Sequence, residues 1–166
     1  MKKVILALSI CATIVSCQRQ QENVVPIDVS KTVYLMNDAW QLKASTWKAD
    51  ITDTINGPVD QYTSLPSCQK DNYWIFNSPS VVTMYEGKTK CNINAPDSTV
   101  YGYTLTNNDN YLTIYNGPVG SPNNTVYLEG NMAYPSIDTF VLTYQAPDPL
   151  DTSKTSQYVQ TYVKQP

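Results

Sequence analysis

The sequence predicts an all-β domain folded as an eight-stranded antiparallel β-barrel. Tyrosine, present in 13 copies, is accompanied by many valine, isoleucine and threonine residues, which are the types enriched in strands. No window of about eleven or more residues has a convincing helical repeat of apolar positions. Eleven prolines, six glycines and several clusters of Asn and Asp divide the chain into short segments.

Eight of these segments have the length and composition of strands. The links between them are short and turn-like, as in Ser78-Pro79-Ser80 and Asn107-Asn108-Asp109-Asn110. Strands joined in chain order by tight turns favour an up-and-down meander, and eight of them close into a barrel that holds side chains or one small ligand. The predicted strands are 40–51, 72–77, 81–86, 100–106, 111–116, 125–134, 137–145 and 156–164.

One connection departs from this pattern. Residues 52–67 show no periodic spacing of apolar residues, and they contain Gly57-Pro58 and Leu65-Pro66. A loop of this length in a compact domain is usually either functional or disordered. Two interpretations stay open: a surface loop that needs a covalent cross-link to hold it, and a lid over the mouth of the barrel.

The first seventeen residues have the pattern of a secretory signal. Met1-Lys2-Lys3 is a basic head, residues 4–16 are apolar, and Ile14-Val15-Ser16-Cys17 resembles the bacterial lipobox. That resemblance implies cleavage after Ser16 and lipidation of Cys17. The alternatives are a plain secretory signal and a transmembrane helix, but the apolar run is shorter than the roughly 20 residues that cross a bilayer.

This pattern predicts three regions: a signal peptide (1–16), a lipidated N-terminus with a polar tether (17–31) and a barrel domain (32–166). The expected location is the cell envelope, anchored to the outer membrane through Cys17, on either its periplasmic or its surface face. Loss of Lys2 and Lys3 leaves nine basic and fourteen acidic residues, a net charge of −5. This acidic balance argues against a nucleic-acid partner.

The cysteines predict one disulfide. Cys11 leaves with the signal and Cys17 carries lipid, so Cys68 and Cys91 remain. Two cysteines in an oxidising compartment most simply pair. A zinc site would need further Cys or His ligands, and the chain contains no histidine.

Three stretches resemble the bacterial lipocalin-like lipoproteins. They are residues 35–42 around Trp40, residues 68–76 from Cys68 through Asp71-Asn72, and Gly87-Lys88-Thr89-Lys90-Cys91. The resemblance covers about residues 32–163 and implies an eight-stranded calycin-type barrel, with a tryptophan on the first strand and two cysteines flanking the second and third strands. This chain departs from the family pattern in having Asp38-Ala39-Trp40 in place of Gly-x-Trp.

Alternation along the predicted strands identifies residues that would face the interior. Each of these side chains is either core or part of the wall of a ligand cavity. Many tyrosines also alternate with polar or small residues on the late strands. Three interpretations stay open: they line a pocket of mixed polarity, they form an exposed recognition surface, or they only supply β-propensity on a solvent-exposed face. The candidate ligand-binding residues are Trp40, Leu42, Trp74, Phe76, Met84, Leu105, Leu128, Met132 and Phe140.

Catalysis has little support in the sequence. Without histidine, no Ser-His-Asp or Cys-His set exists, and we expect no enzyme activity, metal or cofactor. Two functions remain: a barrel that binds a small apolar or amphipathic ligand, or a filled barrel whose Tyr-rich outer face docks a surface protein or glycan.

Asp53-Thr54-Ile55 and Asp97-Ser98-Thr99 also resemble short bacterial O-glycosylation sequons, in predicted loops.

Overall fold

The computed structural model describes residues 31–166, so the predicted signal, Cys17 and all but the last residue of the tether lie outside the described residues. Within them, no helix has the length and apolar character needed to span a membrane. The elements in chain order are α1 (Lys31–Leu35), β1 (Ala39–Lys48), β2 (Val59–Asp60), α2 (Ser67–Lys70), β3 (Tyr73–Ser78), β4 (Val81–Tyr85), β5 (Ser98–Thr106), β6 (Tyr111–Tyr115), β7 (Val126–Ser136), β8 (Thr139–Pro147) and β9 (Thr155–Lys164).

Eight of the strands form a closed antiparallel barrel, which confirms the predicted fold class. β1 and β3 to β9 pair in chain order, and β9 returns to pair with β1 from Trp40↔Lys164 to Lys48↔Gln157. The two-residue β2 lies outside this ring, paired with β1 at Thr46↔Asp60 and Trp47↔Val59. The predicted disulfide between Cys68 and Cys91 is also present, with 5.1 Å between the Cα atoms.

Four of the sixteen ends of the barrel strands coincide with the prediction, and the others differ by one to three residues. β1 stops at Lys48 because the Asp50 carboxylate accepts hydrogen bonds from the backbone N–H and the hydroxyl of Thr52, which starts a turn. β7 continues through Pro135 to Ser136, so Ile137 belongs to the turn before β8. Residues 52–67 are not wholly irregular, because they contain β2.

The two ends of the barrel have connections of different lengths. Tight turns at 79–80, 107–110 and 137–138 lie at one end, called here the closed end. Asn107, Asn108 and Asp109 adopt left-handed backbone conformations there (φ 53°, 53° and 62°), which Asn and Asp tolerate better than most residues. The longer connections, residues 49–72, 86–97, 116–125 and 148–154, meet at the opposite, open end.

The closed half of the barrel is filled by side chains. α1 plugs its end: Leu35 is fully buried, and the Trp40 indole N–H donates to the Leu35 carbonyl oxygen at 2.9 Å. Thr32 of the same helix donates to the Asp109 carboxylate on the β5–β6 turn. The buried apolar set is Leu35, Trp40, Phe76, Val82, Tyr103, Leu112, Ile114, Met132, Phe140, Leu142 and Tyr162.

Candidate functional site

The open half of the barrel is hollow. Above the packed core lies a cavity of about 340 Å³, within the size range of small-molecule pockets. Six of the eight barrel strands, all except β5 and β6, contribute to it, together with two residues around the end of α2. Its lining, called here the cup, consists of Leu42, Gln69, Asn72, Trp74, Met84, Tyr127, Leu128, Tyr144, Gln160 and Tyr162.

Core side chains form the floor of the cup. Tyr162 is 6% exposed and stacks on Phe140 at 4.7 Å between ring centroids. The space below, between Trp74, Leu128 and the buried core, does not admit a water molecule. The cup is therefore blind at its floor, and its lining includes the exposed residues Gln69 and Tyr127.

Two walls of the cup contain Tyr144 and Trp74, and each of these rings is stacked on an aromatic neighbour that is not itself part of the lining. Tyr144 and Tyr158, paired across β8 and β9, lie 4.9 Å apart with an interplanar angle of 8°. On another side, Trp74 stacks with Tyr101 at 6.4 Å and 10°, and Tyr101 packs against Tyr127 at 4.9 Å. Such walls offer flat apolar faces with hydroxyl groups at their edges.

The polar groups of the cup are uncharged. The Tyr162 hydroxyl donates to the Gln160 side-chain oxygen at 2.9 Å, which leaves the Gln160 amide N–H groups free to donate to another acceptor. Burial, with a smaller contribution from Tyr158, raises the pKa of Tyr144 to about 12, and burial also raises the pKa of Tyr162. Both phenols are protonated at neutral pH; the Tyr162 hydroxyl donates to Gln160, and the Tyr144 hydroxyl is able to donate to a ligand.

The disulfide fastens one side of the cup's rim. It joins the 49–72 connection to the 86–97 connection, one residue before Gln69. Next to it, the Asp71 carboxylate accepts the Thr89 backbone N–H at 2.9 Å, and the Asn72 side-chain oxygen accepts the Gly87 N–H at 3.0 Å. These links fix the backbone on which Gln69 and Asn72 are carried.

A buried carboxylate fastens the other side. Asp148, 3% exposed, accepts hydrogen bonds from the backbone N–H groups of Leu150 and Asp151. The fully buried Ser156 hydroxyl bridges Asp148 to the Ala49 carbonyl oxygen, with 2.9 Å to each. The 148–154 connection is thereby held to the end of β1. These hydrogen bonds, the one from the Leu150 N–H foremost, lower the pKa of Asp148.

This lowered pKa predicts acid sensitivity at the rim. A carboxyl group whose pKa falls on folding contributes stability above its unfolded value, about 3.9, and loses that contribution as the pH falls through the folded value. We expect Asp148→Asn to lower the free energy of unfolding at pH 7, with a deficit that shrinks below about pH 4. Urea titrations of both proteins at pH 7 and pH 3 measure this, and a deficit that stays constant with pH contradicts it.

The candidate ligand-binding residues divide between the cup and the core. Four of them line the cup: Leu42, Trp74, Met84 and Leu128. Four others, Trp40, Phe76, Met132 and Phe140, lie in the filled half, where they are 4% exposed or less. Leu105 is partly buried and packs against the same core. The two groups differ in their position along the barrel axis, and alternation along a strand does not indicate that position.

Six cup residues were absent from the predicted set: Gln69, Asn72, Tyr127, Tyr144, Gln160 and Tyr162. The alternation of Tyr158, Gln160 and Tyr162 along β9 was a usable signal, because side chains two apart share a face of a strand. Gln69 and Asn72 had no such signal, since the disulfide and loop contacts bring them to the rim. None of residues 52–67, all of them described, belongs to the lining.

Most tyrosines of the late strands face inward. Tyr103 and Tyr162 are buried, while Tyr101, Tyr134 and Tyr144 pack against the core. Tyr127 is 48% exposed at the mouth.

Of the two sequon-like triplets, Thr54 is exposed in a loop, whereas Ser98 is the first residue of β5 rather than part of a loop.

A second concave surface lies outside the barrel wall. It is a depression of about 630 Å³ at the edge between β1, β3 and the end of the chain. Five of its eight lining residues have polar or charged side chains and none belongs to the buried core: Gln41, Asp71, Tyr73, Glu86, Gly87, Lys88, Gln165 and Pro166. The cup is the stronger candidate because its lining is continuous with the core and combines apolar walls with convergent polar groups.

No protein-family model, curated protein or solved structure matches this chain. Within residues 31–166, no three Asp, Glu or Cys side chains come together as metal ligands would.

Proposed function

We propose that this protein is a non-enzymatic binding protein, anchored by lipid to the outer membrane, that holds a small apolar or amphipathic ligand in the cup. The observation that carries the proposal is the cup itself: a blind cavity with aromatic walls inside a closed barrel. Its lining contains no carboxylate and no cysteine, and the chain has no histidine. That chemistry favours binding over general acid–base or nucleophilic catalysis.

The anchor rests on the sequence. Met1-Lys2-Lys3, the apolar run and Cys17 support lipidation, as does a polar stretch after Cys17. Membership of the bacterial lipocalin-like lipoproteins is part of the same proposal, supported by the motifs around Trp40, Cys68 and Cys91. In that arrangement the described domain begins with α1 at the closed end, so the chain coming from the anchor reaches the barrel opposite the cup.

The alternative, a filled barrel that docks a surface protein or glycan through an outer Tyr-rich face, has weaker support. It requires an exposed aromatic patch and a solid interior. Most of the late-strand tyrosines instead face inward, and the open half holds a cavity.

Blocking the cup tests the binding function. Met84 lines the cup and is half-buried, so Met84→Trp places a bulky ring in the cavity. We expect the uncharged probe N-phenyl-1-naphthylamine to bind wild type with a saturable rise in fluorescence, and its affinity for Met84→Trp to fall at least about tenfold.

The matched control is Val100→Trp. Val100 is 62% exposed and lies on β5, opposite Thr83 of β4, so this variant adds the same ring to the outer wall. Its probe affinity should equal that of wild type. Equal affinity of all three proteins would place the probe elsewhere and remove the support for the cup.

The anchor has its own test. Cys17→Ser removes the thiol that a lipid would occupy, so we expect the wild-type protein in the membrane fraction of its host and the variant in the soluble fraction. Mass spectrometry of the N-terminal peptide then checks for the lipid. Equal fractionation of the two proteins contradicts the anchor and leaves the cup unaffected.

A further inference from the structure

We infer that the cup selects uncharged ligands that combine a flat ring with hydroxyl groups, and that it rejects ionised ligands. This inference rests on the proposed function and specifies its ligand class.

The rejection of charge follows from the lining. Its ten residues are apolar or neutral and polar, with no Lys, Arg, Asp or Glu among them. Of the charged residues next to the lining in sequence, Lys43 and Glu129 are exposed. Lys70 and Asp71 are partly buried but bond away from the lining: the Lys70 ammonium donates to the Thr63 carbonyl oxygen, and the Asp71 carboxylate accepts the Thr89 backbone N–H. An ionised ligand in the cup would therefore lose hydration without gaining a counter-charge, which is strongly unfavourable.

The preference for a ring follows from the walls. The Tyr144–Tyr158 and Trp74–Tyr101 pairs are nearly parallel, with interplanar angles of 8° and 10°. One ring of each pair, Tyr144 on β8 and Trp74 on β3, lines the cavity. A flat ring stacks against such faces over its whole area, whereas a flexible chain contacts them less completely and loses more conformational freedom on binding.

The preference for hydroxyl groups follows from unused hydrogen-bonding capacity. Within the described residues, the Tyr144 hydroxyl and the Gln69 side chain make no hydrogen bond, and Gln160 uses only its oxygen. Tyr144 and Gln160 lie on the neighbouring strands β8 and β9, and Gln69 joins the lining from α2. A ligand hydroxyl both donates and accepts, so it satisfies any of them.

Four probes test these three statements: 2-naphthol, 2-naphthoate, decan-1-ol and methyl β-glucoside. Titrations followed by ¹H–¹⁵N NMR report affinity and location together, through the backbone amides of Tyr144 and Gln160 and the Trp74 indole. We expect 2-naphthol to bind at least about tenfold more tightly than 2-naphthoate, because only the latter carries a charge at pH 7. Decan-1-ol should bind more weakly than 2-naphthol.

Binding of 2-naphthol identifies an aromatic alcohol as the ligand type, and binding of the glucoside identifies a sugar ring.

Two pairs of variants sharpen the test. Met84→Lys puts a cation at the cup and should shift the preference toward 2-naphthoate, whereas Val100→Lys, on the outer wall, should not. Tyr144→Phe should weaken 2-naphthol binding roughly three- to tenfold by removing one hydroxyl. Tyr85→Phe, whose ring stacks on Tyr73 on the outer wall, should leave the affinity unchanged.

Wild-type binding of 2-naphthoate or decan-1-ol as tight as that of 2-naphthol overturns the inference, as does failure of both the naphthol and the glucoside to perturb cup resonances. The proposed function survives either result if N-phenyl-1-naphthylamine still binds wild type and not Met84→Trp. If that probe also fails, the cup itself is not a binding site for such molecules.

Discussion

Replacing Trp40 by alanine is expected to lower the free energy of unfolding by about 3–5 kcal/mol, the range for large aromatic residues removed from a core. Trp40 is 1% exposed and lies 5.1 Å from Phe140 between ring centroids. It also joins two parts of the closed end, because its indole N–H donates to the Leu35 carbonyl oxygen of α1. The variant therefore leaves a cavity and releases the helix that plugs the barrel.

Two further variants separate these effects. Trp40→Phe keeps a ring but leaves the buried Leu35 carbonyl without its donor, an expected loss of about 1–3 kcal/mol. Val100→Ala, on the outer wall, should change stability by no more than about 0.5 kcal/mol. Urea unfolding followed by circular dichroism measures all three. A loss for Trp40→Ala no larger than that of Val100→Ala would contradict the assignment of Trp40 to the core.

Removing the disulfide is the second large change. Cys68→Ala with Cys91→Ala opens a loop closed across a sequence separation of 23, which the chain-entropy model values at about 3 kcal/mol. Because the bond also holds the segment that carries Gln69 and Asn72, the cup should lose affinity for N-phenyl-1-naphthylamine at the same time. Urea unfolding and probe titration of the double variant measure the two losses.

A reducing agent provides the control. Wild-type protein treated with tris(2-carboxyethyl)phosphine should approach the stability of the double variant, and the double variant itself should not respond to the reagent. Unchanged probe affinity in the double variant, with stability lost, would show that the disulfide stabilises the fold without shaping the cup.

The sequence predicted the barrel because its signals are local. Strand composition, alternation and turn residues located all eight barrel strands to within three residues at each end. Two of the displaced ends have a clear local cause: Asp50 starts a turn after β1, and β7 runs past Pro135. The short β2 carried no such signal. It owes its conformation to pairing with β1, which is a tertiary interaction.

The site was predictable only in part. Alternation indicates whether a side chain faces inward, and it did so for Trp40 and Trp74 alike. It does not indicate how far along the barrel axis α1 and the core side chains fill the interior. Trp40 lies within the filled part, and Trp74 lies at the boundary with the cup. The tyrosines were conspicuous in the sequence, but an inward and an outward tyrosine on a strand have the same local signature. Their orientation became clear from ring pairs such as Tyr144–Tyr158.

If the cup holds a ligand in the native protein, that ligand should remain bound through a gentle purification from the host. Native mass spectrometry of wild type and Met84→Trp, each purified in this way, detects it. We predict a wild-type species heavier than the lipidated chain by the mass of one small molecule, released as a neutral on activation and missing from Met84→Trp. Spectra in which wild type carries no additional mass, or in which Met84→Trp retains the same mass, would show that the cup does not hold a ligand in the native protein.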